Sequence, residues 1–88
     1  MMDEKIIWDT IALENFESIL VKIPVFLRGI AQKKVSKRAE QMASSYQRAV
    51  SQKDVVDAFF LETPFGFHGP MKMDMESLGI DYKKYGHS

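Results

Sequence analysis

Ile23-Pro24-Val25-Phe26-Leu27-Arg28 opens the stretch whose reading decides the fold, and Phe60 closes it. Between them lie a basic helical segment, a polar connector at Ser44 to Ala49, and a restart at Ser51-Gln52-Lys53-Asp54-Val55-Val56. Proline lacks a backbone donor and biases the preceding residue away from the α region, so Pro24 ends or kinks the helix before it. Its fixed φ suits the first turn of the next helix equally well. A bend is expected there. A long second helix should then run from about Val25 to Tyr46. Its apolar stripe is Leu27, Ile30, Ala31, Val35, Ala39, Met42, Ala43 and Tyr46, which closes on one face at about 100° per residue. Lys33 and Lys37 fall on the opposite face, with Lys34 and Arg48 at its flank. Arg28 is phased near the middle of the apolar face. A guanidinium there must find a carboxylate, reach past the helix end to water, or meet a partner.

Upstream, Trp8-Asp9 reads as a helix start, with Asp9 as cap and Trp8 packing on Leu13 in a hydrophobic staple. Ala12, Phe16, Ile19, Leu20 and Ile23 follow at helical spacing. Downstream, Ser51 and Asp54 form a capping-box-like start to a third helix, whose Val55, Val56, Ala58, Phe59 and Phe60 spread over a broad face. That breadth implies contact on two sides. The helix stops at Thr63-Pro64. Phe65 to Pro70 reads as a loop by its Gly/Pro punctuation. Pro70 can begin a fourth helix, with Met71, Met75 and Leu78 on one face and Gly79 as its stop. Residues 80–88 lack periodicity and are expected to fray. The expectation is one all-α domain over 1–88, three main helices with a short fourth near the C-terminus, and a core within about 8–79.

Composition bounds the function. A chain of 88 residues supports one small core and no deep cleft between lobes. It has 45% hydrophobic and 27% charged residues, the balance of a folded domain rather than a disordered one. With no cysteine there is no disulfide and no thiolate chemistry, which fits a cytoplasmic setting. The N-terminal Met1-Met2-Asp3-Glu4-Lys5 is charged, and the apolar run after it is too short for a secretory leader. No membrane span is expected either. The formal net charge of zero hides an asymmetry: from Lys22 to Arg48 seven cations face Glu40 alone, leaving the flanks acidic.

No constellation for catalysis stands out. His68 and His87 are expected in a loop and in the tail, each without a neighbouring carboxylate at ligand spacing, and no phosphate-binding glycine loop is present. Neither catalytic residues, a metal site nor a cofactor is assigned. Lys33, Lys34, Lys37 and Arg38 could face phosphates, which makes nucleic-acid binding the alternative function. A solvated helix face paired with the acidic flanks is the preferred reading, because no aromatic residue interleaves with these cations. The cluster of Phe59, Phe60, Phe65 and Phe67 with Met71, Met73 and Met75 reads as either an adaptable groove or the core of a small domain. As an exposed surface it would favour a homodimer.

Trp8, Ala12, Ile23-Pro24, Phe26-Leu27-Arg28, Glu40, Ala43, Val50-Ser51, Asp54-Val55 and Ala58 together carry a resemblance. Over about residues 8–60 the chain resembles the small C-terminal domain of the light-independent protochlorophyllide reductase B subunit and its stand-alone relatives. The Pro-x-Phe-Leu-Arg element is its most specific part, and the spacing from Arg28 to Glu40 is about one helical turn longer than the family pattern. The resemblance implies a compact helical accessory domain that binds an unidentified protein partner. The cluster and substrate pocket of the reductase belong to other domains, so its tetrapyrrole chemistry does not transfer. Pro24, Phe26 and Arg28 would fix the first bend, Arg28 by pairing with Glu14 or Asp57. Another reading has Phe65, Phe67 and His68 forming one wall of a tetrapyrrole or cofactor site in a larger complex.

Overall fold

The computed structural model describes residues 6–88; the stretch Met1–Lys5, read above for the absence of a leader, lies outside them. Four α-helices follow in order: α1 Thr10–Lys22, α2 Val25–Ser45, α3 Gln52–Glu62 and α4 His68–Ser77. Short 3-10 turns occupy Phe65–Phe67 and Tyr82–Tyr85. Among the described residues there is no strand, only one isolated parallel bridge between Trp8 and Val50. The class is all-α.

The bend at Pro24 is a full break. Ile23 is extended, with its N–H donated to the Leu20 carbonyl, and Pro24 takes the N-cap position of α2 rather than its first helical turn. α1 buries Ala12, Phe16, Ile19 and Leu20, the spacing of a single helical face. Its start differs from the staple expected. Leu13 is exposed, Asp9 makes no side-chain cap bond, and Trp8 packs instead on Phe16, ring centroids 5.1 Å apart. The backbone explains the difference: Val50 accepts from the Asp9 N–H and donates to the Ile7 carbonyl, each at 2.9 Å. With the clasp in place Trp8 lies against Phe16 on the buried face of α1 and reaches Glu40 of α2.

α2 departs from its uniform stripe. Its buried residues are Val35, Ala39 and Ala43. Leu27, Ile30 and Tyr46 are exposed, and Ala31 and Met42 are half-buried. The small side chains at 39 and 43 let α3 approach closely, so the second half of α2 carries the packing. Its first half, Val25 to Lys34, buries no residue.

α3 is the central element, packed against α1, α2 and the C-terminal 3-10 turn. Val55, Val56, Ala58, Phe59 and Phe60 are all buried, which is the two-sided contact its broad apolar face requires. The capping box is present in full: Ser51 Oγ accepts from the Asp54 N–H and Asp54 accepts from the Ser51 N–H. Asp54 is itself buried and accepts from both terminal guanidinium nitrogens of Arg48, Nη1 and Nη2.

Residues 65–70, expected as a loop, are the 3-10 turn followed directly by α4, which begins two residues before Pro70. Met71 and Met75 are buried, and Leu78 is half-buried. Gly79, at φ 74°, ends the helix as expected: its N–H bonds the Glu76 carbonyl, and the Ile80 N–H bonds that of Met75. The segment beyond corrects the fraying expected of it. Ile80 and Tyr82 are buried in the core. Tyr85 donates to Gln52 at 2.6 Å, and His87 lies against Asp57 at 2.6 Å with its ring stacked on Phe60. The tail lacks periodicity because it packs as single anchor residues, a pattern that no helical or strand repeat reveals.

Candidate interaction cleft

Breaking the chain at Pro24 and Pro64 leaves the end of α1, the start of α2, the end of α3 and α4 around one apolar cleft of about 550 Å³. Buried Ile19, Val35, Phe59 and Met71 contribute to it from the core. Leu27 and Ile30 of α2 and Phe67 of the 3-10 turn line it while exposed to solvent at 44%, 59% and 63%. Phe26, one helical turn before Ile30, is 78% exposed. Single exposed apolar residues need no explanation, but a cluster around a concavity marks a contact surface.

Arg28 holds this geometry. Its Nε donates to the Leu20 carbonyl at 2.9 Å, and its Nη2 donates to those of Val21 and Ile23 at 3.1 and 2.9 Å. These carbonyls lie at the end of α1, where a helix runs out of intrahelical donors; that of Leu20 also accepts from the Ile23 N–H. The cation also sits at the negative end of the α1 dipole. Neither Glu14 nor Asp57 is its partner; Asp57 is taken by Lys53 and His87. Arg28 thus spans the bend through backbone oxygens and not through a carboxylate.

Charge around the cleft is divided by element. Lys22 and Lys34 line it from α1 and α2, Glu62 and Asp74 from α3 and α4. Glu62 accepts from Arg38 at 2.9 Å, whereas Lys22, Lys34 and Asp74 have no ion-pair partner among the described residues.

The residues singled out in the sequence separate accordingly. Pro24 and Phe67 line the cleft, whereas Phe26 is exposed and is not among the lining residues. Phe59 and Phe60 are core residues, 1% and 9% exposed, and offer a partner little surface. Phe65 is 87% exposed and Met73 70%, while Met71 and Met75 are buried, so the Phe/Met cluster is part core and part surface. Trp8 is half-buried, its indole N–H donated to Glu40. Lys33, Lys34 and Lys37 are exposed, but Arg38 is engaged by Glu62. His68 has its Nε2 2.9 Å from the Thr63 carbonyl and its ring edge-on to Phe60, which makes it a brace for the α3–α4 turn. Sequence reasoning missed Lys22, Glu62 and Asp74. Only the break between two apolar stripes, one ending at Ile23 and the next buried from Val35 onward, hints at a cleft between them.

Among the described residues no group of three or more His, Asp or Glu side chains is placed to hold a metal ion, and no helix is long and apolar enough to cross a membrane. No protein-family model matches the chain, and neither a curated protein nor a solved structure matches it.

Proposed function

We propose that the chain is a non-catalytic accessory module that binds protein through this cleft, the role implied by its resemblance to the reductase domain. One observation carries the reading: the first ten residues of α2, Val25 to Lys34, include no fully buried side chain, with Ala31 half-buried against the core, yet Leu27 and Ile30 line an apolar concavity while exposed to solvent. A helix in water gains most of its stability from tertiary packing, so an apolar half-helix left uncovered is suited to being covered. A cytoplasmic location goes with this reading, and a chain without cysteine is compatible with that reducing compartment.

The nucleic-acid alternative draws less support, since Arg38 is committed to Glu62 and acidic residues share the cleft with Lys34. The test is capture from native lysate on the tagged chain, with and without nuclease, beside a Leu27→Glu/Ile30→Glu variant. Protein bands that survive nuclease and vanish with the variant support the reading. Retention that needs nucleic acid, ignores the variant and falls with Lys33→Ala/Lys37→Ala overturns it. A phosphate-bound complex would also weaken roughly tenfold or more between 50 and 200 mM salt.

A further inference from the structure

We infer that the corner between α1 and α2 docks on the surface of an anionic lipid bilayer, with Val21, Val25 and Phe26 entering the interface and Lys33 and Lys37 meeting the head groups. None of these five residues lines the cleft, so the inference goes beyond the protein-binding reading and is tested separately from it. No helix among the described residues is long and apolar enough to cross a membrane, and the contact inferred is peripheral.

The corner is apolar and open. Val21, Val25 and Phe26 flank Pro24 within three residues and are 68%, 74% and 78% exposed. Gly29, one turn after Val25, adds room on the same side: a Cβ built there meets no atom within 4 Å. The fold holds this half of α2 by other means, the half-buried Ala31 and the Arg28 bonds to the end of α1.

The outer face of α2 then changes character along its axis. Phe26, Ile30, Lys33 and Lys37 are all exposed helical residues and fall within about 60° of arc at 100° per residue. A helix that fills a protein groove carries apolar anchors at i, i+4 and i+7, but here i+7 and i+11 are lysines. At 1.5 Å per residue, Lys33 and Lys37 stand about 10 Å and 16 Å along the axis from Phe26. Interfacial segments bury their apolar residues about 5–10 Å into the head-group boundary. With α2 steep to the surface and its corner immersed to that depth, Lys33 reaches the lipid phosphates. Lys37 stays within about one Debye length, roughly 8 Å, of them.

Charge selects an anionic surface. No carboxylate occurs from Ser18 to Ala39, a stretch that carries six cations. Arg28 is held by backbone carbonyls and Arg38 by Glu62. Lys22, Lys33, Lys34 and Lys37 are exposed and have no ion-pair partner among the described residues. A lysine close to an anionic leaflet contributes roughly fivefold in affinity. Glu17, exposed one turn before Val21, is the carboxylate that opposes the contact.

The experiment is co-sedimentation of the full chain with vesicles of phosphatidylcholine containing about 30% phosphatidylserine, beside vesicles of phosphatidylcholine alone. The expected result is half-binding at about 1 mM lipid or below on the anionic vesicles, against roughly 0.1 mM for a single myristoyl chain, and at least about tenfold weaker binding to the neutral ones. Val25→Ser/Phe26→Ser should weaken binding at least about tenfold, and Lys33→Ala/Lys37→Ala by about ten- to thirtyfold. Glu17→Lys should tighten it by about fivefold or more. All five positions are exposed, so circular dichroism should show the helices intact. Insertion has its own signature. A tryptophan introduced by Phe26→Trp, with Trp8→Phe removing the native one, should shift its emission to the blue on anionic vesicles and be quenched by brominated acyl chains. A chain that leaves vesicles unbound at about 5 mM lipid overturns the inference. Binding that Val25→Ser/Phe26→Ser leaves unchanged overturns it too, since charge alone then holds the chain at the surface. So does binding to a short DNA duplex through Lys33 and Lys37 with none to vesicles, which assigns those lysines to nucleic-acid phosphates. Capture of protein that is sensitive to Leu27→Glu/Ile30→Glu is a separate readout, and the protein-binding reading survives or fails on it alone.

Discussion

The indole Nε1 of Trp8 donates to Glu40 Oε2 at 2.9 Å, across 32 residues of sequence. This contact joins the segment before α1 to the middle of α2. It works with the Ile7–Val50–Asp9 backbone clasp, which ties the same segment to the start of α3. The three long elements are thus bridged on one side by residues outside any helix core.

Replacing Trp8 with Phe keeps an aromatic surface against Phe16 but removes the indole donor. The expected cost is about 1 kcal/mol, the net value of one hydrogen bond, and somewhat more if Glu40 is left unsolvated. Glu40→Gln keeps an acceptor and should cost less than Glu40→Ala. Urea denaturation separates the three. Trp8 is the only tryptophan, so its emission should shift to the red in Glu40→Ala as the ring loosens, and a silent spectrum would show that the bond does not position it.

Arg28→Ala removes three hydrogen bonds to the end of α1. Bonds from charged donors are worth more than neutral ones, but partial solvent exposure reduces them here, giving an expected loss of about 1–2 kcal/mol. Arg28→Lys should recover little of it, because an ammonium cannot reproduce the planar fork that spans separate carbonyls. Glu14→Ala and Asp57→Ala should leave the Arg28 contacts intact, as neither carboxylate touches it. A melt in which Arg28→Ala matches the parent chain would mean that Pro24 alone sets the bend.

These positions show what was legible in the sequence. The four helices, the Pro24 break, the Ser51–Asp54 box and the Gly79 stop each follow from a local rule, and local rules need only neighbouring residues. The role of Arg28 was half legible: its phase on the apolar face revealed a cation needing acceptors, but carbonyls at a broken helix end look no different in sequence from satisfied ones. Leu27 and Ile30 continue the α2 stripe perfectly well. Only tertiary packing, which uses Val35, Ala39 and Ala43 and then stops, leaves them facing the cleft. Charges such as Lys22 and Asp74 became site residues by position alone.

Asp54 makes stability depend on acid. Burial alone would raise its pKa, but the Arg48 hydrogen bond, then those from Ser51, outweigh this and hold it below the usual 3.8. A carboxylate with a depressed folded pKa contributes stability that is present above its unfolded pKa. That contribution is lost as pH falls through the folded value. Stability should therefore decline from about pH 4 downward and level off only once the lowered folded pKa is passed. Asp54→Ala should cost about 2 kcal/mol at neutral pH, combining the lost cap with the lost ion pair, because Arg48 can turn to water. The variant should also show a flatter acid limb in thermal melts between pH 2 and pH 6, the range that brackets carboxylate titration. An acid limb as steep as that of the parent would assign the acid sensitivity to other carboxylates.

The C-terminal segment makes the largest predicted effect. Ile80 and Tyr82 are 3% and 4% exposed, and the Tyr82 hydroxyl donates to Glu76 at 2.5 Å, a bond that raises the phenol pKa. Ending the chain at Gly79 removes both buried side chains and uncovers Phe60, on which Tyr82 and His87 pack at centroid distances of 5.8 and 4.0 Å. Burying a large apolar side chain contributes about 1.5–3 kcal/mol, so the two together should cost about 3–6 kcal/mol. Marginal domains hold about 5–15 kcal/mol in total, and a truncated chain should therefore be largely unfolded at 37 °C or melt far below the parent. His87→Ala isolates the outermost contact. Losing one aromatic stack and the approach to Asp57 should cost about 1 kcal/mol and leave the fold intact. Backbone amide exchange near Tyr82 should separate these outcomes. Protection lost in the truncation but kept in His87→Ala identifies Ile80 and Tyr82 as the anchors, whereas a truncated chain with parental stability would reduce the tail to surface decoration.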